Sequence, residues 1–273
     1  MSRPDCRLVL GSRSPRRLEL LRQIWPAELI DIVPPSSAAE AHFNNLHDWP
    51  SIGRRLLEIA GTKWDDVAAQ LRNTLGDCRR NSDGGSPSPP LPRGERGEEE
   101  CASREGNTDS LSPLSPRGRG VGGEGADAGS AAPVVIAADT VVIVDRGGSL
   151  HVLGQPPADD TWQETVRRWF REDFAGKTHT VATAICLERL HQNAGGPPSP
   201  RLTRVVTSRV TFVDDVDRCL DWYLATGEPR GKAGGYALQG AGSIFIAKVE
   251  GSLSNVVGLP LAELLEMIKA LAP

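Results

Sequence analysis

The stretch Gly11-Ser12-Arg13-Ser14-Pro15-Arg16-Arg17-Leu18 follows an apolar run, Leu8-Val9-Leu10, and precedes a segment with apolar residues at 18, 20, 21 and 24. An apolar run followed by apolar residues at helical spacing predicts a strand, a turn and a helix. Ser14 is a favourable N-cap and Pro15 suits the first helical position. The stretch therefore predicts a strand-to-helix turn, the unit from which α/β folds are built.

The same turn is suited to an anion. Free backbone N–H groups at a helix start attract negative charge, and Arg16 and Arg17 add two guanidinium groups that suit a polyphosphate. The alternative is a solvated basic helix start. Ser115-Pro116-Arg117 repeats part of the motif in a Gly/Pro-rich stretch with no flanking strand or helix, where no pocket is expected.

Strand and helix patterns alternate along the rest of the chain, which predicts an α/β protein. The segments 180–188 and 203–213 are expected to form a hairpin with an extended loop. The predicted strands are 7–11, 28–33, 133–144, 180–188, 203–213 and 243–249, and the predicted helices are 15–24, 52–72, 159–172, 215–226 and 261–271.

Composition indicates a globular enzyme and excludes several other classes. The 273 residues carry 39% hydrophobic side chains and a net charge of −4, and this acidic balance argues against a general nucleic-acid binder. Scattered cysteines without a Cys-x-x-Cys pair argue against a disulfide framework or a zinc site and fit a reducing cytoplasm. Strand-like sequence begins by residue 7 and no long apolar run occurs, so neither a signal peptide nor a membrane span is expected.

The segment from about 81 to 130 is dominated by Gly, Ser, Pro, Arg and Glu and has almost no large apolar residue. Such a segment cannot bury enough surface to offset the entropy of ordering it. We interpret it as a disordered low-complexity insert within a single catalytic domain, residues 1–273.

Asp139 interrupts the apolar run Val134–Val144, which otherwise resembles a buried central strand. An unpaired buried charge costs several kcal/mol, so this carboxylate needs hydrogen bonds, a cation or a metal. Asp139 is therefore a candidate base or metal ligand. The alternative is an aspartate in a strand bulge or turn whose carboxylate is satisfied by local backbone donors.

Other motifs narrow the chemistry. Arg171 stands where a Walker phosphate loop ending in Gly176-Lys177-Thr178 would need glycine, so the chain is not a P-loop protein. His179 is interpreted as a structural hydrogen-bonding residue. Four glycines lie within residues 231–240, which indicates positive φ angles or close approach to a ligand, and Gln239 in this loop could read a base edge. An ordinary glycine-rich surface turn is the alternative.

Six blocks of the chain, in order, resemble the Maf family of nucleoside triphosphate pyrophosphatases. They are Leu10–Leu21, Ala138–Val142, Gly176–His179, Gly227–Pro229, Lys232–Gly240 and Ser254–Leu261. The resemblance implies a two-lobed α/β fold with a mixed sheet, flanking helices and a central cleft, akin to the inosine triphosphatase-like pyrophosphatases. It also implies cleavage of a nucleoside triphosphate to the monophosphate and pyrophosphate with a divalent metal, Mg²⁺ or Mn²⁺, and a homodimer.

The resemblance assigns roles to individual residues. Asp139 matches the catalytic acidic position, with Glu40 as its partner in holding metal. Arg16, Thr140 and Gln239 match positions associated with substrate choice, and Ser12, Arg17 and Lys63 fall on other substrate-binding positions. Two departures stand out: Gln155 replaces a lysine expected near the phosphates, and Gly231 replaces an aspartate in the glycine-rich block.

The sequence thus predicts a cytoplasmic enzyme that hydrolyses non-adenine nucleotides, dTTP, UTP or a modified pyrimidine triphosphate. An amide such as that of Gln239 can both donate to and accept from the O4/N3 edge of uracil or thymine. A nucleotide-binding regulator of cell division that has lost hydrolysis is the alternative from another class, since the lysine at 155 is missing. A nucleic-acid binder is disfavoured by the acidic balance.

Overall fold

The computed structural model describes residues 6–36, 43–82, 132–191 and 199–271. These residues form a seven-stranded mixed sheet flanked by helices, which confirms the predicted α/β class. The strands are β1 (Leu8–Gly11), β2 (Ile30–Ile32), β3 (Val134–Arg146), β4 (Ser149–Leu153), β5 (Thr178–Arg189), β6 (Leu202–Phe212) and β7 (Ile246–Glu250). The α-helices are α1 (Pro15–Ile24), α2 (Trp49–Ser82), α3 (Trp162–Arg168), α4 (Asp217–Ala225), α5 (Leu253–Val257) and α6 (Leu261–Ala270).

The sheet has the order β2-β1-β3-β5-β6-β7, and β4 pairs with β3 off this path. β1 runs parallel to both β2 and β3, whereas the other pairs are antiparallel. The predicted pairing of β5 with β6 is confirmed by a register from Thr178↔Thr211 to Leu187↔Leu202. The parallel pairs place the β1–α1 turn beside the middle of β3, because Gly11 is opposite Ala137.

One edge of β3 changes its partner along the strand. Pairing with β1 ends at Ala137, and pairing with β4 begins only at Val142. The peptide groups of residues 138–141 therefore have no strand partner on that edge, although β5 pairs continuously with the other edge. Backbone polar groups that lose their ladder partner must find other partners, so this gap is a natural place for side chains or a ligand.

Helices cover the two faces of the sheet differently. α2 packs along one face through Ile52, Leu56, Trp64 and Val67, against the odd-numbered residues of β3. The opposite face carries two separate hydrophobic clusters, one under α1 and α6 and one under α3 and α4. Strand side chains alternate between faces, so a single strand contributes to all three clusters. The two clusters on one face correspond to the two lobes that the resemblance implied.

Several details differ from the sequence-based expectations. β4 was not predicted, although Gly147 and Gly148 have φ of 69° and 88° and form the two-residue turn typical of a hairpin. The predicted helix 159–172 is a short α3 followed by a π-helical turn at Trp169–Phe174. α5 was also not predicted. α2 begins at Trp49 rather than 52, where the Asp48 carboxylate accepts a 2.9 Å hydrogen bond from the Ser51 N–H.

The predicted insert at 81–130 lies almost wholly outside the described residues; only its first two positions are described, and they belong to α2, which extends through Ser82. The insert and the single-domain interpretation therefore stay predictions. Within the described ranges, no helix combines the length and the apolar character that crossing a bilayer requires.

Candidate active site

A cleft of about 1440 Å³ lies over the open edge of β3. The β1–α1 turn and Lys63 of α2 line one side, here named the turn wall and defined as residues 11–17 with Lys63. The segment after β4 and residues 230–233 and 236–239 line the other side, and residues 230–242 are here named the glycine wall. Asp139 and Thr140 lie between the walls, as the sequence predicted for a central cleft.

Asp139 is part of an uninterrupted strand, so its interpretation as a bulge or turn residue is wrong. Its carboxylate forms an ion pair with the Lys63 ammonium, and the two side chains are 18% and 27% exposed. Since α2 packs on the odd-numbered face of β3, Lys63 meets Asp139 from that face. The partly buried pair leaves a polar edge open to the cleft, which is the geometry a carboxylate needs to act on a bound ligand.

Arg17 fastens the turn wall to its surroundings. Its Nε donates to the Gly258 carbonyl at 2.8 Å, and its Nη1 donates to the Ala138 carbonyl at 2.8 Å and to Ser12 Oγ at 3.2 Å. Its Nη2 donates to Thr140 Oγ1 at 3.0 Å. Burial lowers the pKa of Arg17, against the opposing effect of the Asp139 charge. Arg17 thus supplies the partner that the Ala138 carbonyl lacks in the gap of β3.

Thr140 points to the face opposite Asp139. Its hydroxyl lies 3.0 Å from the hydroxyl of Thr183, a fully buried residue of β5, and 3.4 Å from the Gly258 carbonyl. The Thr140 hydroxyl also accepts from Arg17, so it is held on three sides. Thr183 was not singled out from the sequence, because only the β3–β5 register, Thr140↔Thr183, brings it to this position.

The start of α1 is built somewhat differently from the prediction. Ser14 occupies the N-cap position and Pro15 the first helical position, but the Ser14 side chain makes no capping hydrogen bond. Instead the hydroxyl of Ser12, which is 6% exposed, accepts the Ser14 N–H at 3.2 Å. Arg16 lines the cleft and has no hydrogen bond or ion pair with another described residue.

The segment that follows β2 is tied to the same wall. Arg13 donates to the carbonyls of Pro35 at 2.7 Å and Ser36 at 3.1 Å. The Asp66 carboxylate of α2 accepts from the backbone and the hydroxyl of Ser36, and these hydrogen bonds lower the pKa of Asp66. Glu40, predicted to hold metal, lies outside the described residues.

Glu228 organises the glycine wall. Its carboxylate accepts from the backbone N–H groups of Ala241 at 2.7 Å and Gly242 at 3.1 Å and from the Tyr223 hydroxyl at 3.3 Å. A Cβ at Gly240 would lie 2.4 Å from a Glu228 oxygen, so the chain passes very close to this carboxylate. Gln239, just before it, is exposed and lines the cleft.

A buried histidine lies beneath the same wall. The Nε2 atom of His179 is 2.7 Å from the Tyr236 hydroxyl, and the ring is 2% exposed among Phe174 and Phe212. Burial lowers the pKa of His179 to about 3, despite the nearby charge of Asp173. His179 therefore acts as a neutral hydrogen-bonding residue, in agreement with its structural interpretation.

Sequence reasoning missed most of the positive charge on the cleft. It assigned roles to Arg16, Arg17 and Lys63 but to no other cation of the cleft, although its quoted motifs also included Lys232. The cationic side chains that line the cleft are Arg13, Arg16, Arg17, Lys63, Arg146, Arg168, Arg230 and Lys232. Asp139 is the only carboxylate among the described residues of the lining. Such an excess of positive charge suits a ligand with several negative charges.

The described residues supply limited ligands for a metal. No group of three or more His, Cys, Asp and Glu side chains comes together among them, and Asp139 is the carboxylate available in the cleft. Mg²⁺ is commonly held by one or two carboxylates together with substrate phosphates. One carboxylate in a cleft lined by cations therefore fits a divalent cation that would bind together with an anionic ligand.

Comparison with known proteins gives the following similarities. The family model of Maf-like proteins matches residues 7–271. A dTTP/UTP pyrophosphatase of Anaeromyxobacter dehalogenans (strain 2CP-1) is 44% identical over 137 residues, which are 50% of this chain and 63% of the relative. A dTTP/UTP pyrophosphatase of Nitratidesulfovibrio vulgaris is 40% identical over 135 residues, 50% of this chain and 57% of the relative. One of Bartonella quintana is 29% identical over 266 residues, 97% of this chain and 87% of the relative.

The matches to the first two of these relatives thus cover less than two thirds of each relative. The match to the Bartonella quintana protein includes nearly the whole chain at lower identity. The six sequence blocks all lie within residues 7–271, which the family model matches.

Proposed function

The chain belongs to the Maf family, and on this basis we propose that it hydrolyses dTTP and UTP to the nucleoside monophosphate and pyrophosphate. The observation that carries the proposal is the position of Asp139 at the open edge of β3, where it is the one carboxylate among the described residues that line a cleft rich in cations. The names of three relatives, all dTTP/UTP pyrophosphatases, support the choice of substrate.

In this proposal the turn wall holds the triphosphate. Arg16 is free of protein partners among the described residues and can give its whole guanidinium to phosphate oxygens. Arg17 borders the same site with most of its donors already used, and Ser12 and Lys63 complete the polar surface. Thr140 and Gln239 contribute to the choice of base, the latter through an amide that can pair with the O4/N3 edge of a pyrimidine.

Asp139 is proposed to orient and deprotonate a water molecule for attack on the α-phosphorus. The Lys63 ammonium fixes the carboxylate in the cleft through their ion pair. As the bond to the leaving pyrophosphate breaks, negative charge grows on its oxygens, and the cations of the cleft stabilise that charge. Arg17 and Lys63 are already held by hydrogen bonds and an ion pair, so they need little reorganisation during the reaction.

A divalent cation, Mg²⁺ or Mn²⁺, is proposed to be held by Asp139 together with phosphate oxygens and with Glu40, as the resemblance implies. It would supply further neutralisation of charge on the phosphates. A cytoplasmic location, a homodimer and the absence of nucleic-acid binding remain part of the proposal and rest on composition and resemblance.

The test is incubation of the purified full chain with dTTP, UTP, CTP, GTP, ATP and 7-methyl-GTP in Mg²⁺, with pyrophosphate and monophosphate measured together. We expect dTTP and UTP to be hydrolysed well above ATP and GTP, and a chelator to abolish hydrolysis. Release of inorganic phosphate instead of pyrophosphate would contradict the proposed bond cleavage. Binding of dTTP without any hydrolysis would favour the nucleotide-binding regulator.

A further inference from the structure

We infer that Lys232 is a further phosphate-binding residue, and that it holds the substrate's polyphosphate from the glycine wall while Arg16 holds it from the turn wall. The inference rests on the proposed function, because it concerns the same cleft and the same ligand. Neither the resemblance nor the sequence motifs gave Lys232 a role. The ligand chemistry is that of a linear polyphosphate.

The backbone fixes Lys232 at the corner of the cleft. Lys232 follows Gly231, whose φ of 67° turns the chain, and it precedes a short helical turn at Ala233–Gly235. The Gly234 N–H donates to the Gly154 carbonyl at 3.0 Å, so the glycine wall is bonded directly to the segment that follows β4. A Cβ at Gly234 would lie 3.0 Å from Val142 of β3, so this wall rests closely on β3.

The Lys232 ammonium keeps donors for a ligand. One of its N–H groups goes to the main-chain carbonyl of Glu228, and an ammonium has three. The Glu228 carboxylate does not neutralise it by direct contact, because that carboxylate is bonded to Ala241, Gly242 and Tyr223. Lys232 forms no ion pair with any carboxylate of the described chain.

Arg16 and Lys232 act on each other across the cleft. Burial lowers the pKa of Lys232, and the charge of Arg16 lowers it further, while Glu228 opposes both. The charge of Arg16 also acts on Tyr223, which lies behind the glycine wall. Both side chains are partly buried and line the same cleft, one from each wall, and neither forms an ion pair with a carboxylate of the described residues. An anion bound between them would relieve this repulsion and bond to both.

The position of Lys232 also explains how the cleft can work with glutamine at 155. The segment that carries Gln155 is the one that Gly234 bonds to, and a Cβ at Gly231 would lie 3.9 Å from Gln155 Oε1. Lys232 thus places a cation at the same corner of the cleft where the resemblance expects one. A cation added at 155 should therefore substitute for one removed at 232.

The test compares Lys232→Gln with Lys248→Gln in the full-length protein. Both changes remove one positive charge, but Lys248 lies on β7, pairs with Glu250 at 2.9 Å and does not line the cleft. Binding of inorganic tripolyphosphate is measured by calorimetry at several salt concentrations. We expect Lys232→Gln to weaken binding by about 10- to 100-fold, as for loss of a charge-assisted hydrogen bond, and Lys248→Gln to leave it unchanged.

Two further variants separate charge from folding. Lys232→Arg keeps the charge and should bind tripolyphosphate nearly as well as the wild type. If Lys232 mattered only for folding, the affinities of Lys232→Arg and Lys232→Gln would not differ according to their charge. Lys232→Gln combined with Gln155→Lys should recover part of the lost affinity. Equal affinity of Lys232→Gln and the wild type would overturn the inference, as would equal weakening by Lys248→Gln.

Failure of this inference and failure of the proposed function give different results. If the wild type binds tripolyphosphate through Lys232 but releases no pyrophosphate from any nucleotide, the inference stands and the hydrolase proposal falls. If the wild type hydrolyses dTTP and Lys232→Gln changes neither KM nor tripolyphosphate affinity, the hydrolase proposal stands and the inference falls.

Discussion

The turn wall and the glycine wall are fixed by opposite charges and in the same way. Arg17 fixes the turn wall as a largely buried cation whose guanidinium donates to carbonyls and hydroxyls. Glu228 fixes the glycine wall as a carboxylate that accepts from backbone N–H groups and a tyrosine hydroxyl. Neither anchor forms an ion pair with a described residue, and each has a cation next to it, Arg16 and Lys232, that faces the cleft.

In each wall, one charged residue holds the wall in place and another is available to bind a ligand. The residue that holds the wall, Arg17 or Glu228, is bonded mainly to uncharged main-chain groups, so it needs no oppositely charged side chain as a partner. A neighbouring cation is then left for a ligand. This division predicts which variants affect stability, which affect binding and which affect the reaction itself.

The largest effect is expected at Asp139, which lies between the walls and belongs to neither. Asp139→Asn keeps the shape and can still accept from Lys63, but it loses basicity and metal affinity. Turnover should fall by about 10²- to 10⁴-fold, the usual contribution of a general base, while nucleotide binding and thermal stability change little. Pyrophosphate release and a melting curve without ligand measure both. Near-normal turnover would remove Asp139 from the mechanism, and a large loss of stability would favour a structural role.

The next effect separates the two arginines of the turn wall. Arg17→Ala removes the Arg17 donors from the carbonyls of Ala138 and Gly258 and leaves only the 3.4 Å contact of the Thr140 hydroxyl at Gly258, so the free energy of unfolding should fall by about 3 kcal/mol. Arg16→Ala removes no hydrogen bond to a described residue and should leave stability unchanged while it weakens triphosphate binding. Urea unfolding of both variants is the measurement. Equal stability of the two variants would contradict the assignment of Arg17 to holding the wall and Arg16 to binding the ligand.

A pH effect on stability should come from His179, which lies beneath the glycine wall. The pKa of His179 is about 3 in the folded protein and 6.5 in its ordinary state, so below pH 6.5 the unfolded chain binds a proton that the folded chain does not. When the pH is lowered from 7 to 5, the free energy of unfolding should therefore decrease by about 2 kcal/mol because of this residue. His179→Gln should lose that much less stability over the same range. Parallel curves for the wild type and the variant would contradict the assignment.

The smallest effect concerns the choice of base. Gln239→Ala should lower the preference for dTTP and UTP over GTP and ATP by about tenfold, because a base-reading amide is lost from the glycine wall. Arg16→Ala should lower kcat/KM for every nucleotide, because the triphosphate loses a contact, and a change in base preference as well would reflect the link of Arg16 to substrate choice that the resemblance implies. The measurement is kcat/KM for the six nucleotides with each variant. An unchanged base preference in Gln239→Ala, or a preference of the wild type for 7-methyl-GTP, would show that Gln239 does not read the base.

Local sequence signals predicted much of the fold. The apolar runs and helical spacing gave β1, α1, β3, β5, β6 and α6 nearly to the residue, because these elements bury continuous faces. Two shorter elements were not predicted. β4 depends on a Gly-Gly turn and on pairing with β3, and α5 has only five residues. In such short segments the spacing of apolar residues does not distinguish a helix or strand from a loop.

The site was predicted less completely for a physical reason. Asp139 was visible because a carboxylate in an apolar run is costly, and the ion pair with Lys63 shows how the cost is met. The gap in β3 between Ala137 and Val142 depends on two registers that no local pattern contains. Thr183 became relevant only through the β3–β5 register. Lys232 lies in a block that the sequence singled out, but its position at the cleft depends on the contact between that block and the segment after β4.

The 13-residue strand β3 has a consequence for how the molecule folds. Its first half completes the hydrophobic cluster under α1 and α6, and its second half completes the cluster under α3 and α4. Neither cluster can lose β3 without disrupting the other, and β5 repeats this arrangement alongside it. The two ends of the sheet therefore form one cooperative unit, and heating should give a single transition with equal calorimetric and van't Hoff enthalpies.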